Sequence, residues 1–127
     1  MTASGASGRA LARSGEQLVA LRYESAGYRI LARNWRCCRG ELDIVASRGD
    51  EVVFCEVKTR SSLAVGYPEE AVGMAKQKKL RELASEFLSN VERSKAPRGE
   101  FQVRFDVACV IVPRDGPPEV TILEDAF

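Results

Sequence analysis

The 127-residue chain carries a formal net charge of +1, 45% hydrophobic residues and no histidine. This length suits one domain with a single core, and the near-neutral charge gives no general argument for nucleic-acid binding. The lack of histidine excludes Ser-His-Asp and Cys-His catalysis, and it excludes nucleases whose general base or metal ligand is an imidazole.

Residues 1–9 lack the apolar segment of a secretory signal, so we expect a flexible leader followed by a single domain at 10–127. Nowhere does the chain contain the ~18 consecutive apolar residues of a membrane span. We therefore expect a cytoplasmic protein without membrane contact. Leu11, Leu18 and Val19 share one side of a helix predicted over 10–26, and Gly27 is a favourable residue to end it.

Three strands are predicted next, over 28–35, 41–47 and 51–59, because apolar and polar residues alternate there or β-favouring residues cluster. Between the second and third strands, Gly49-Asp50 suits a two-residue hairpin loop of type II′, in which Gly49 takes the position that needs φ > 0. Cys37 and Cys38 lie in the preceding turn, whereas Cys55 and Cys109 lie in apolar strands. Without metal-binding or redox spacing, the last two are expected to be packing residues.

A second helix is predicted over 68–90, with Pro68 at its first position and an interruption near Gly73. Its core stripe consists of Leu80, Leu83, Ala84, Phe87 and Leu88. A strand over 101–112 and an edge strand over 119–123 complete the chain. The order α-β-β-β-α-β-β predicts an α/β fold with one mixed sheet and a helix on each face.

Two acidic residues and a lysine meet in the predicted hairpin. Its register places Asp43 opposite Glu56 and Glu41 opposite Lys58, with the Cβ atoms of opposed residues roughly 4.5–5.5 Å apart. Two carboxylates at that distance repel unless a proton or a cation lies between them, and oxygen ligands favour Mg²⁺ or Mn²⁺. Lys58 shares the face of Glu56 and reaches a phosphate or a metal-bound water. This combination suits phosphodiester hydrolysis.

The simpler interpretation is a solvent-facing hairpin whose Glu–Lys pairs contribute roughly 0.2–1 kcal/mol each. Apolar neighbours argue against it, because a largely buried strand rarely carries charges without a use. We expect Val45, Val52 and Phe54 on the face of the charges. The opposite face is expected to hold Leu42, Ile44, Ala46, Val53, Cys55 and Val57.

Lys76, Lys78, Lys79 and Arg81 form a basic cluster in the second helix, and most such clusters are solvated surface. Lys76 differs, because it continues the core stripe and is predicted to extend along apolar surface toward the carboxylates and a phosphate. Arg104 and Asp106 are equally compatible with a buried ion pair and with a substrate role. Trp35 and Tyr67 are expected to pack in the core, with base stacking as the alternative.

The chain resembles the YraN-type family of predicted bacterial endonucleases, which has the restriction-endonuclease-like PD-(D/E)xK fold and is distantly similar to archaeal Holliday junction resolvases. The resemblance begins at Gly15-Glu16 and Asn34-Trp35-Arg36 and includes the two hairpin segments, Gly40-Glu41-Leu42-Asp43 and Phe54-Cys55-Glu56-Val57-Lys58-Thr59-Arg60. It continues through Pro68-Glu69-Glu70-Ala71-Val72, Lys76, Arg104-Phe105-Asp106 and Ala126-Phe127. Leu42 stands where the usual motif has proline.

The resemblance implies a role for each site residue. Asp43, Glu56 and the Val57 carbonyl would bind the metal, Lys58 would orient the attacking water, and Glu16 would complete the catalytic set. The nucleic-acid-binding cations are expected to be Lys76, Lys79, Arg60 and Arg36.

The function predicted from the sequence is therefore a Mg²⁺- or Mn²⁺-dependent endonuclease acting on DNA, with branched or single-stranded DNA as the expected substrate. A homodimer follows by analogy, because cleavage of a junction requires two active sites. The alternative is a non-catalytic nucleic-acid-binding or protein-interaction module on a nuclease scaffold.

Overall fold

A computed structural model describes residues 7–61, 72–89, 97 and 99–127. The predicted order of helices and strands is confirmed. The elements are α1 (Ser7–Ser25), β1 (Arg29–Cys37), β2 (Gly40–Arg48), β3 (Glu51–Arg60), α2 (Met74–Ser89), β4 (Gln102–Ile111) and β5 (Glu119–Leu123).

The five strands form one sheet in the order β1-β2-β3-β4-β5. β3 and β4 are parallel, whereas the three other neighbouring pairs are antiparallel, so the predicted mixed sheet is confirmed. A parallel pair needs a crossover connection, and α2 lies within it. β5 is an edge strand, as predicted, and β4 is an interior strand with a continuous buried run.

The helices cover opposite faces of the sheet, which confirms the predicted layers. On one face, Leu83 and Phe87 of α2 pack against Val45 and Phe54. On the other face, Val19 and Tyr23 of α1 belong to a second cluster of buried residues. The interior strands β2, β3 and β4 are therefore largely buried on both faces. Neither helix in the described part of the chain is long and apolar enough to span a membrane.

The first helix ends at the predicted place but begins earlier than expected. The N–H of Tyr28 donates to the carbonyl of Tyr23, and the N–H of Gly27 donates to that of Glu24, with Gly27 at φ 91°. These two bonds form a Schellman cap. The rings of Tyr23 and Tyr28 make its hydrophobic contact, with 5.3 Å between their centroids. α1 begins at Ser7, three residues before the predicted start at Ala10, and 1–6 lie outside the described residues.

The second helix has the predicted core stripe. Leu80, Leu83, Ala84 and Phe87 are buried, and Leu88 is half-buried. The helix begins at Met74, and Val72 and Gly73 are not helical. The interruption expected near Gly73 is therefore the start of the helix. The predicted helical segment at 68–71, including Pro68, and Tyr67 lie outside the described residues.

Several packing predictions are confirmed as well. Cys55 and Cys109 are buried. Trp35 packs edge-on against Phe87, with 5.4 Å between ring centroids. Gly49 has φ 59° and Asp50 does not have a positive φ. Both observations agree with the predicted type II′ turn, in which only the first central residue has a positive φ.

Candidate active site

β2 and β3 separate where the carboxylates lie. Their ladder has the predicted register from Arg48–Glu51 to Ile44–Cys55 and stops there. Asp43 and Glu56 are therefore not a paired position of the ladder, and Glu41 is not paired with Lys58, contrary to prediction. The N–H of Val57 donates instead to Oδ2 of Asp43, at 2.9 Å. A side chain thus bridges the two strands at the point where their backbones part.

A break in the alternation of β2 explains this geometry. Leu42 packs on the α2 side of the sheet and Ile44 on the α1 side, although strict alternation would place both on one face. The predicted position of Leu42 beside Ile44 is therefore wrong. In β1, Asn34 has φ 51°, and the ladder pairs its neighbours with β2 but skips Asn34 and Asp43. The strands are irregular at facing positions, which frees Asp43 from the sheet.

Asp43 carries the most perturbed carboxyl group of the site. Burial, followed by the negative charge of Glu56, raises the pKa of Asp43 to about 7, while the hydrogen bond from Val57 lowers it. The side chain of Glu56 lies close enough to Asp43 for its charge to be the second-largest cause of this shift. Without a cation between them, one favours its protonated form.

Glu56 is buried, with 7% of its surface exposed, and it forms ion pairs with two lysines. Lys58 Nζ lies 3.4 Å and Lys76 Nζ 3.3 Å from the same oxygen, Oε2 of Glu56. Lys58 is on β3, two residues after Glu56, whereas Lys76 comes from the first turn of α2. The expected approach of Lys76 to the carboxylates is therefore observed.

Glu16 approaches the same region from α1. Its helix lies close to β3, because a Cβ atom on Gly15 would come within 3.0 Å of Thr59 Cβ. Burial raises the pKa of Glu16, a hydrogen bond with Asn34 lowers it, and the charges of Glu41 and Glu56 raise it again. Glu16 therefore lies within electrostatic range of the carboxylate pair without joining it.

The donor set fits a hard divalent cation. Asp43 and Glu56 supply carboxylate oxygens, and their mutual repulsion is the force that a cation would relieve. Within the described residues, no group of three or more Asp, Glu, Cys or His is arranged to hold a metal. The site is therefore a carboxylate pair, which the Val57 carbonyl and Glu16 are predicted to extend.

The remaining predicted cations are spread over the surface. Lys79 lies against the β1–β2 turn, with its Cε 3.6 Å from where Gly40 would carry a Cβ. Arg36 Nε is 3.4 Å from Glu41 Oε2 on the α1 side. Arg60 is half-buried at the end of β3. The contacts of the described residues bring Lys58 and Lys76, but not these three, to Glu56.

An open cleft of about 560 Å³ lies between α1 and the β1–β2 hairpin. It is lined by Ala12, Arg13, Glu16, Asn34, Arg36 and Glu41. Arg13 and the structural role of Asn34 were not predicted from the sequence. Arg13 lies one helical turn before Glu16, and Asn is among the few residues that tolerate positive φ, so both signals are present but weak.

The Arg104–Asp106 pair is structural. Asp106 is fully buried, and Arg104 donates to both of its oxygens at 2.8 Å. Tyr23 Oη donates to Oδ2 at 2.6 Å, and the N–H of Asp125 donates to Oδ1 at 3.0 Å. Arg104 also donates to Glu51, at 3.0 Å. These contacts satisfy Asp106 within the fold, so the buried ion pair is the correct one of the two predicted alternatives.

Comparison with known proteins identifies close relatives. The model of the uncharacterised protein family UPF0102 matches residues 15–110. A UPF0102 protein of Arthrobacter sp. (strain FB24) is 49% identical over 110 residues, covering 87% of this chain and 89% of the relative. One from Acidothermus cellulolyticus is 39% identical and covers 100% of both chains. Another, from Caldicellulosiruptor saccharolyticus, is 42% identical and covers 94% of this chain and 98% of its own.

Proposed function

The chain belongs to the uncharacterised protein family UPF0102, which is the YraN-type family that its sequence resembles, and from its site we propose a function. The protein is a metal-dependent endonuclease that hydrolyses phosphodiester bonds in DNA. One observation carries the proposal. The carboxyl groups of Asp43 and Glu56 meet where β2 and β3 separate, and two lysines contact Glu56 at that point. Two adjacent acids that can hold a divalent cation, together with lysines that can hold water and phosphate, are a combination suited to phosphodiester hydrolysis.

Asp43, Glu56 and the Val57 carbonyl would hold Mg²⁺ or Mn²⁺, and Glu16 would assist from α1. When bound, such an ion polarises the phosphoryl oxygen and makes a coordinated water more acidic. Lys58 would hold the attacking water and stabilise the charge that develops on the phosphate. Lys76, half-exposed beside Lys58, would bind a phosphate oxygen of the strand.

The finer fold assignment belongs to this proposal. Asp43 lies on β2, just beyond the last residue that pairs with β3. Glu56 and Lys58 lie on β3, which pairs in parallel with β4. A mixed sheet with α1 and α2 on opposite faces is compatible with a restriction-endonuclease-like core of the PD-(D/E)xK type. The absence of histidine is also consistent with a site built from carboxylates and lysine.

The substrate is proposed to be branched or single-stranded DNA in the cytoplasm, with a homodimer as the working assembly. Arg36, which lines the cleft beside Glu16, and Lys79 would contact the strands outside the site, and Arg60 would do so beyond the end of β3. The modest net charge of +1 favours the second candidate, a non-catalytic nucleic-acid-binding or protein-interaction module on the same scaffold.

Cleavage of labelled DNA in Mg²⁺ and Mn²⁺ tests the proposal. The panel contains single-stranded, duplex, flap and four-way-junction DNA, and it is offered to the wild type, to Glu56→Ala and to Glu82→Ala. Glu82 is an exposed acid on α2 and serves as the matched control. We expect Glu56→Ala to lose at least about 100-fold in rate and Glu82→Ala to match the wild type.

Equal cutting by Glu56→Ala and the wild type would identify a contaminant and refute the endonuclease. No cutting on any substrate, combined with DNA binding that does not depend on Glu56, would favour the binding module.

A further inference from the structure

Two lysines share one carboxylate oxygen in this site. Lys58 and Lys76 both lie within 3.4 Å of Oε2 of Glu56, whose side chain is 7% exposed. Two positive charges thus converge on one oxygen of one of the two acids expected to bind the metal. The lysines differ in how they are held. Lys58 belongs to the strand that carries Glu56 and is 30% exposed, whereas Lys76 belongs to α2 and is 45% exposed.

Electrostatics at the first turn of α2 favour this contact. It contains no acidic residue, and Lys76 lies there at the positive end of the helix dipole. The Glu56 carboxylate supplies the negative charge that the helix terminus lacks. The Lys76–Glu56 pair therefore links the start of α2 to β3.

A divalent cation and the Lys76 ammonium are competitors for Glu56. Both are attracted by the same oxygen, and they repel each other at the short distances of this site. The side chain of Lys76 is long and more exposed, so it can swing into solvent at small cost. Lys58 is fixed more closely by its position two residues after Glu56.

We propose that Lys76 occupies the cation position of Glu56 in the metal-free protein, is displaced when a divalent ion binds, and is then held by a phosphate of the nucleic acid. Lys76 is a positioning residue in this scheme. Because a phosphate takes Lys76 away from Glu56, nucleic acid and metal strengthen each other's binding. By thermodynamic reciprocity, each ligand raises the affinity of the other by the same factor. The inference rests on the metal site of the proposed function and adds a coupling between its ligands.

Titration with Mn²⁺ in a calorimeter tests the competition. The proteins are the wild type, Lys76→Met and, as the matched control, Lys78→Met, which removes the same charge from an exposed position of the same helix. We expect Lys76→Met to bind Mn²⁺ on the order of fivefold more tightly, as expected when an ion pair of modest strength no longer competes. Lys78→Met should equal the wild type. Lys76→Gln serves as a second variant.

Repeating the titration with a phosphorothioate four-way junction tests the coupling. The junction should tighten Mn²⁺ binding to the wild type and to Lys78→Met by a few-fold. In Lys76→Met the increase should be absent, because no ammonium remains to be transferred. A merely structural role of Lys76 would lower stability without changing this difference.

The outcomes separate this inference from the endonuclease itself. If the wild type cleaves DNA but Lys76→Met binds Mn²⁺ no more tightly, the competition is refuted and the endonuclease stands. If Lys76→Met binds Mn²⁺ more tightly but no protein cleaves, the competition stands and the endonuclease fails. If neither the wild type nor Lys76→Met binds Mn²⁺, both are overturned.

Discussion

Asp43 and Asp106 are both carried into the protein by β-strands, but their surroundings differ in charge. Asp106 receives two hydrogen bonds from Arg104, one from Tyr23 and one from the backbone of Asp125. Asp43 receives one backbone hydrogen bond and faces a second acid, Glu56. The first carboxylate is neutralised by an arginine that it contacts directly, whereas the contacts given for Asp43 include no cation, because both lysines lie against Glu56. That difference is the basis for assigning Asp43 to a binding site and Asp106 to structure.

The repulsion at Asp43 predicts an unusual dependence of stability on pH. The pKa of Asp43 in the folded protein, about 7, lies above its ordinary value of 3.8. The folded state therefore binds more protons than the unfolded state between these values, and the contribution of Asp43 to the free energy of unfolding falls as pH rises from about 4 to 7. Asp43→Asn removes this effect. In EDTA at pH 8, we expect it to raise the free energy of unfolding by on the order of 2 kcal/mol.

Urea denaturation of the wild type and Asp43→Asn at pH 4 to 8 measures the difference. The gain should shrink as pH falls toward 4, because Asp43 is then protonated in the folded state and close to half-protonated in the unfolded state. Asp50→Asn, in the exposed hairpin turn, is the matched control and should show no such gain. A variant that is less stable than the wild type at pH 8 would contradict the predicted repulsion. Saturating Mn²⁺ should reverse the order, because only the wild type then gains from metal binding.

Among the helices and strands, the contact between α1 and β3 positions Glu16. Gly15 is buried against Thr59, and a methyl group there would clash with the threonine side chain, whose Cγ2 lies 3.1 Å from the added atom. Glycine is normally unfavourable inside a helix, by about 1 kcal/mol relative to alanine. Its use at this position permits a close approach that brings the next residue, Glu16, toward the carboxylates.

Gly15→Ala is therefore expected to destabilise the protein although it improves helix propensity. We expect a net loss of about 1–3 kcal/mol in the free energy of unfolding, because the contact becomes overpacked. Adding Thr59→Ala removes the clashing hydroxyl and methyl groups and should restore part of the loss. Ser14→Ala, exposed on the same helix, is the control and should be neutral or slightly stabilising. If Gly15→Ala is as stable as Ser14→Ala in urea, α1 does not lie against Thr59.

How far the sequence predicts each element depends on whether the signal is local. The β2–β3 hairpin follows from residues close in the chain, Gly49 at the turn and the alternation beside it, so its register was predicted correctly up to Ile44 and Cys55. The sequence does not predict that Leu42 lies on the other face, because this depends on the irregular backbone of Asn34 in a different strand. A pattern of period two contains no information about such a break.

The same distinction applies to the candidate site. The hairpin pattern predicts that Asp43, Glu56 and Lys58 lie near one another, although Asp43 and Glu56 are not a ladder pair. The helical stripe predicts the approach of Lys76, and both of these signals are periodic. The cleft residue Arg13 depends on how α1 lies across β1, which no pattern in the sequence specifies. Residues on a periodic face could therefore be predicted to approach the site, whereas Arg13 and the break in pairing at Asp43 could not, because they depend on how separate elements meet.

On the scale of the whole molecule, the buried network around Asp106 connects parts of the chain that are far apart in sequence. It joins α1 through Tyr23, β3 through Glu51 and the segment after β5 through Asp125. Arg104 also contacts Glu124, at 3.7 Å. The lysines of the candidate site contact Glu56 and not Asp106, so stability and the proposed chemistry rest on different carboxylates.

This separation predicts that Asp106→Asn destabilises the protein without removing its site. Arg104 would keep its charge in a largely buried position and lose the closest of its anionic partners, retaining only the more exposed Glu51 and Glu124, so the free energy of unfolding should fall by about 3 kcal/mol. Urea denaturation at pH 7.5 measures the loss, and Asp115→Asn, in an exposed turn, is the control that should stay within about 0.5 kcal/mol of the wild type.

The affinity for Mn²⁺, measured at low temperature where Asp106→Asn is still folded, should equal that of the wild type. Asp43→Asn should show the opposite combination, with higher stability in EDTA at pH 8 and no Mn²⁺ binding. If Asp106→Asn abolishes Mn²⁺ binding while its circular dichroism remains that of the wild type, the network belongs to the site, and the division between the two carboxylates is wrong. The pair of variants thus assigns each buried acid by two independent measurements, one of folding and one of binding.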